Sequence, residues 1–100
     1  MAVKILMTWD IAPGKEQDYF EFVVRDFVPG MQKLGLQPSD AWLTYYGDYP
    51  QIMAAALMPG MPEMETLLES TEWAELKQHL LEYVENFEYK VIQARNGFQL

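Results

Sequence analysis

Residues 3–19, VKILMTWDIAPGKEQDY, decide how the rest of the chain is read. Val3, Ile5, Met7 and Trp9 alternate with Lys4, Leu6, Thr8 and Asp10, so one side of the run is wholly apolar and the other mixed. A two-residue period of this kind predicts a β-strand. Pro13-Gly14 then ends it, because the fixed φ of proline followed by permissive glycine suits a tight turn. Glu16 and Asp18 follow, where acids favour the positive end of a helix dipole. The stretch reads as a strand, a turn and the start of a helix.

From Lys15 onward the period changes. Tyr19, Phe22, Val23, Phe27, Met31 and Leu34 fall mostly at three- and four-residue steps, which predicts an amphipathic helix from Lys15 to about Leu34. Pro29 interrupts it. An interior proline removes a hydrogen bond and clashes one turn back, so a kink is expected at Val28. Gly35 is the expected C-terminal cap.

Gln37-Pro38-Ser39-Asp40 reads as a loop and Ala41–Tyr46, rich in aromatic and β-branched residues, as a strand. Gly47-Asp48-Tyr49-Pro50 is turn chemistry, and Gln51–Met58 reads as a buried strand closing an antiparallel hairpin. Pro62 suits the first turn of a helix carrying Met64, Leu67 and Leu68. Ser70 or Thr71 is the expected cap of a second segment, whose stripe is Trp73, Leu76, Leu80, Tyr83 and Val84. Glu88–Ala94 reads as the last strand, followed by an Asn96-Gly97 turn and the apolar Phe98 and Leu100.

The resulting order, β-α-β-β-α-β, is the split arrangement of a ferredoxin-like domain. The expected fold is α+β: an antiparallel sheet of strand order 4-1-3-2 with two helices on one face, forming one domain over residues 1–100. Two helices cover only one face. The strands nevertheless carry apolar or aromatic residues on both sides, including Leu6, Trp42, Tyr46, Met53 and Ile92. A large uncovered apolar face marks an interaction surface, and the simplest partner is a second copy packed sheet on sheet.

The chain has 100 residues, half of them hydrophobic, no cysteine and a formal charge of −8. No disulfide framework or thiolate site is available, and a cytoplasmic setting is expected. Scattered bases and an acidic excess argue against nucleic acid as a partner. The longest apolar run, Ile52–Met61, is far short of a membrane span.

In the order of its features the chain resembles the dimeric α/β-barrel superfamily, close to antibiotic-biosynthesis-monooxygenase-like and NIPSNAP-like domains. The residues that carry the resemblance are the first strand ending in Trp9, Pro13-Gly14-Lys15, Tyr19 on the helix and Gly35 before the second strand. Ser70-Thr71-Glu72-Trp73 at a helix start and Phe98-Gln99-Leu100 add to it. The resemblance implies two sheets joined into a barrel-like dimer with a pocket in each subunit. It implies no resident metal or flavin, since the related monooxygenases deprotonate their substrate and let it react with oxygen in a dry pocket. Haem-degrading relatives place an asparagine on an early strand and a tryptophan and histidine in the second half. Asparagine here stands only at Asn86 and Asn96, and Trp73 and His79 lie too close together for that pattern.

His79 is the sole histidine and falls on the flank of its helix stripe, so no metal-binding spacing exists. Asp10 is the best candidate proton acceptor on the mixed face of the first strand, although it is also placed to cap the turn that follows. Thr8, Trp9, Trp42, Thr44, Tyr46 and Trp73 complete the candidate ligand-binding set, with His79 beside Asp10 as a candidate for catalysis. Two readings follow. One is a homodimeric small-molecule-binding protein, extending to a cofactor-independent monooxygenase-like enzyme acting on an aromatic or polyketide-like substrate. The other is a non-catalytic binding or assembly module whose aromatic residues only pack the dimer.

Overall fold

The structure, a computed structural model, describes residues 2–43 and 51–94. In chain order its elements are β1 (Val3–Ile11), α1 (Glu16–Phe22), a π-helical turn (Val23–Phe27), α2 (Val28–Lys33), β2 (Gln37–Leu43), β3 (Ile52–Met58), α3 (Met61–Leu68), α4 (Thr71–Leu80) and β4 (Val84–Gln93). The strands form one antiparallel sheet in the order β2-β3-β1-β4. This is the order expected of the ferredoxin-like arrangement.

Every second residue of β1, from Val3 to Ile11, is buried, and the residues between are half-buried. The buried set meets Tyr19, Phe22, Phe27, Met31, Met64, Leu67, Trp73 and Leu80 from the helices. The core therefore lies on one side of the sheet. Trp9 is its hub. Its indole N–H donates to the Tyr19 hydroxyl at 3.0 Å. Its ring stacks on Phe87 at 5.9 Å and meets Phe27 edge-on at 6.0 Å.

The connections follow local chemistry. Gly14 has φ +81 and the Lys15 N–H reaches the Ala12 carbonyl at 3.1 Å, closing the Pro13-Gly14 turn. Gly35, at φ +91, ends the first helical run. The Leu36 N–H bonds the Met31 carbonyl and the Gly35 N–H bonds the Gln32 carbonyl, the double closure of a Schellman cap. Ser70 is the cap of α4, its Oγ accepting the Trp73 N–H at 3.1 Å.

Two expectations about element boundaries are corrected, and a π turn stands at the position of the expected kink. The helical run continues through it, with the Val28 N–H reaching back five residues to the Val23 carbonyl just before Pro29. The five-residue step between buried Phe22 and Phe27 is the trace of that turn. The second strand begins at Gln37, not Ala41, so Gln37-Pro38-Ser39-Asp40 is strand. Proline is tolerated there because β2 is an edge strand, and Ser39 is accommodated by a register shift between Pro38 and Asp40. The last strand begins at Val84, not Glu88, and α4 ends at Leu80. Tyr83 and Val84 continue the helical spacing by coincidence. Tyr83 lies in the turn and stacks on Phe22 at 5.1 Å, while Val84 pairs with Ile11. The predicted turns at residues 47–50 and 96–97 lie outside the described residues.

β4 carries a bulge where Asn86 and Phe87 together face Trp9. Asn86 has φ 58, the left-handed conformation that such a bulge demands and that asparagine tolerates better than most residues. Replacing it with glycine keeps that backbone and removes only the side chain, whereas alanine also strains the backbone. Asn86→Ala is therefore expected to be less stable than Asn86→Gly by about 1 kcal/mol. Urea denaturation of the two variants measures the difference, and equal midpoints would contradict it.

Burial raises the pKa of the Tyr19 hydroxyl above its ordinary value of 10.0, and the Trp9 hydrogen bond partly opposes the shift. The unfolded chain thus loses this proton first as pH rises. Stability from the group is complete below the ordinary phenol value and falls as pH climbs from there through the folded one. Tyr19→Phe is expected to cost about 1–3 kcal/mol at neutral pH by stranding the buried indole N–H. It is also expected to flatten the loss of stability above about pH 10. Chemical denaturation between pH 7 and 11 reads both effects.

Candidate functional site

Strand parity divides the candidate residues between two surfaces. Trp9, 2 % exposed, and Trp73, 2 % exposed, belong to the core on the helix side. His79 is exposed on the last turn of α4, its ring 6.4 Å from that of Phe22. Thr8 and Asp10 sit on the opposite, open face of β1, half-buried. The structure thus brings Thr8 and Asp10 together and separates them from Trp9, Trp73 and His79. Thr44 and Tyr46 lie outside the described residues.

The register defines the open face row by row. Thr8 lies between Met53 of β3 and Glu88 of β4, and Trp42 of β2 takes the register position opposite Met53. The next row is Asp40, Ala55, Leu6 and Lys90. Beyond it come Gln37, Leu57, Lys4 and Ile92. The centre of this face is apolar, with Met53 and Ile92 exposed and Leu6 and Leu57 half-buried. Its margins are charged. Lys4 Nζ and Asp40 Oδ2 approach to 4.0 Å across β3.

At the Asp10 end the carboxylate is held on both oxygens. Oδ1 accepts the Gln51 N–H at 3.0 Å and Oδ2 accepts the Asn86 side-chain N–H at 2.9 Å. Asp10 does not cap the turn of its own segment. It ties β1 to the start of β3 and to the bulge of β4. A carboxylate has about four acceptor positions, and the described residues fill two of them. Glu85 pairs directly with Asp10 and is exposed, so the end of the face gathers negative charge.

Asn86 is the site residue that sequence reasoning missed. Its role depends on a bulge set by pairing with β1, a contact spanning 76 residues. The available signal was its type, because asparagine is among the few side chains that tolerate a positive φ.

The helix layer carries an open groove of about 620 Å³ between the end of α2, Met58 and α3. Leu34, Met58 and Leu67 form its apolar lining, with Lys33, Glu63 and Glu72 around it. None of the candidate site residues lines it. Among the described residues, no three His, Cys, Asp or Glu side chains form a metal-holding group, and no helix is long and apolar enough to cross a membrane.

No family model and no curated protein matches the chain. Solved structures do. A NIPSNAP family protein from Agrobacterium tumefaciens superposes with TM-score 0.70 at 15% identity, covering 96% of this chain and 95% of its own. A dimeric protein of ferredoxin-like fold from Bacteroides fragilis gives TM-score 0.62 at 12% identity, with 93% and 96% covered. SnoaB, a cofactor-independent oxygenase from Streptomyces nogalater, gives TM-score 0.68 at 14% identity, with 96% and 95% covered. At these identities the likeness is one of fold, and the fold of this chain is the ferredoxin-like α+β fold that NIPSNAP-like and monooxygenase-like domains share.

Proposed function

We propose that the protein works as a homodimer joined through its open sheet faces. In this reading it binds a small aromatic or polyketide-like molecule at the Asp10 end of that face, as a cofactor-independent monooxygenase-like enzyme. The observation that carries it is the open face itself. Met53 is 41% exposed and Ile92 39% exposed on a surface that the helices leave uncovered. Half-buried Leu6, Thr8 and Leu57 lie between them. A surface of this kind is stabilised by coverage, and a second copy supplies it symmetrically. The fold shared with a dimeric protein and with a cofactor-independent oxygenase supports the same reading.

In this proposal Asp10 is the proton acceptor, because Gln51 and Asn86 hold its carboxylate in place on the open face. Thr8 supplies a hydroxyl one row away on the same face, and Trp42, Thr44 and Tyr46 complete the ligand surface. The cysteine-free sequence supports a cytoplasmic setting. A second reading is a binding or assembly module without catalysis whose aromatic sheet face only packs the dimer, and the helix side removes two tryptophans from the ligand set. Trp9 and Trp73 are sealed there, so these two tryptophans serve packing.

Sedimentation equilibrium at micromolar concentration is expected to give a dimer, and thermal-shift screening with phenols and quinols to give ligand-dependent stabilisation. Thr8→Val removes a hydroxyl while keeping shape and strand preference. It is expected to weaken ligand binding about fivefold, the loss of one hydrogen bond near 1 kcal/mol. A dimer that responds to no ligand in the panel would favour the assembly module. A monomer would sink both readings.

A further inference from the structure

The charges on the open face are arranged so that reversing the strand direction sets acid against base. At one end stand Asp10, Glu85 and Glu88, and toward the other stand Lys4 and Lys90 with Asp40 beside them on β2. On β1 the open-face residues run Lys4, Leu6, Thr8, Asp10, with base and acid at equal distances from Met7. On β4 the adjacent open-face residues Glu88 and Lys90 repeat the pattern. Lys90 is exposed and makes no ion pair among the described residues. Lys4 is only loosely engaged with Asp40, at 4.0 Å.

Two sheets packed face to face lie about 10 Å apart. For aligned sheets, the twofold axis between them runs along the strands or across them. An axis along the strands sets the acidic end of one copy over the acidic end of the other. An axis across the strands, level with Met7, reverses strand direction and sets acid over base. Lys4 then faces the partner's Asp10, Leu6 faces the partner's Thr8, and Glu88 faces the partner's Lys90. Long lysine side chains can span much of that separation while their stems cover apolar surface.

We propose that the second copy seats on the open face in this crosswise, antiparallel orientation, so that each ligand site is completed by lysines of the other subunit. The inference rests on the homodimer reading and adds its orientation. It also changes the chemistry of the site. Among the described residues, the charged groups of the open face at the Asp10 end are the acids Asp10, Glu85 and Glu88, which repel an anionic ligand. With the partner's Lys4 opposite Asp10, the same site holds an acceptor and a cation together, an arrangement suited to a neutral hydroxyl-bearing ligand that becomes an anion when deprotonated. Like charges placed opposite one another disfavour the alternative docking, so charge selects the register more than it sets total affinity.

A charge swap tests this on the intact chain. Lys90→Glu and Glu88→Lys are each expected to weaken the dimer at least about fivefold at low salt, because each sets like charges across the seam. The double variant E88K/K90E reverses both members of the pair and is expected to restore the wild-type dissociation constant to within about threefold. Both positions are exposed, and circular dichroism of each variant checks that the fold is intact. A wild-type dimer whose singles dissociate no more readily, or whose double is weaker than either single, overturns the crosswise orientation and leaves the homodimer reading standing. A monomeric wild type overturns both.

Discussion

Trp9 and Asp10 are consecutive residues that a strand must send to opposite faces, and the rest of the structure depends on that parity. The indole of Trp9 fixes the helix side. It holds α1 through Tyr19, the π turn through Phe27 and β4 through Phe87. Once that ring is sealed in the core, Asp10 must look the other way, and with it Thr8, Leu6 and Lys4. A shift of β1 by one residue would place a carboxylate and a lysine under the helices and expose the indole. The buried charge alone makes that register prohibitive.

The same parity explains why the molecule has an unfinished surface. A domain of this size can bury only a modest share of its area, and here one side of the sheet takes nearly all of it. The helical layer is spent on Val3, Ile5, Met7, Trp9 and Ile11 and their neighbours. What remains on the open face is a strip of Leu6, Met53, Leu57 and Ile92 between charged margins. Such a strip is neither a solvated polar face nor a finished core. That intermediate character, and not any single side chain, is what the proposed dimer rests on.

Features set by neighbouring residues are legible in the sequence. The alternation in residues 3–10, the Pro13-Gly14 turn, the Gly35 cap and the Ser70 cap each follow from local chemistry, and the structure places them as that chemistry requires. Features set by pairing with distant residues are not legible. Gln37-Pro38-Ser39-Asp40 has loop composition, and only its place at the sheet edge makes it strand. Tyr83 and Val84 continue a helical spacing, and only pairing with Ile11 shows that the strand has begun. The candidate site divides in the same way. Thr8 and Asp10 follow from the period of β1, while Asn86 depends on a bulge in the pairing of β4 with β1. Trp9 and Trp73 have the composition of ligand-binding residues and the burial of core ones. Residue type alone does not separate those roles.

Charge acts on this molecule at two ranges with opposite signs. The whole chain carries −8, which opposes association of any two copies. That repulsion is long-ranged and is screened beyond about 8 Å at physiological ionic strength. Contacts between a lysine and a carboxylate across packed sheets are shorter and partly shielded from solvent, so salt weakens them less. Added salt therefore removes more of the general repulsion than of the specific attraction, up to the concentration at which the contacts themselves are screened. In the proposed dimer the net charge governs how readily copies meet, and the order Lys4, Leu6, Thr8, Asp10 governs how they fit. An acidic protein can in this way remain dispersed and still present one face that recognises itself.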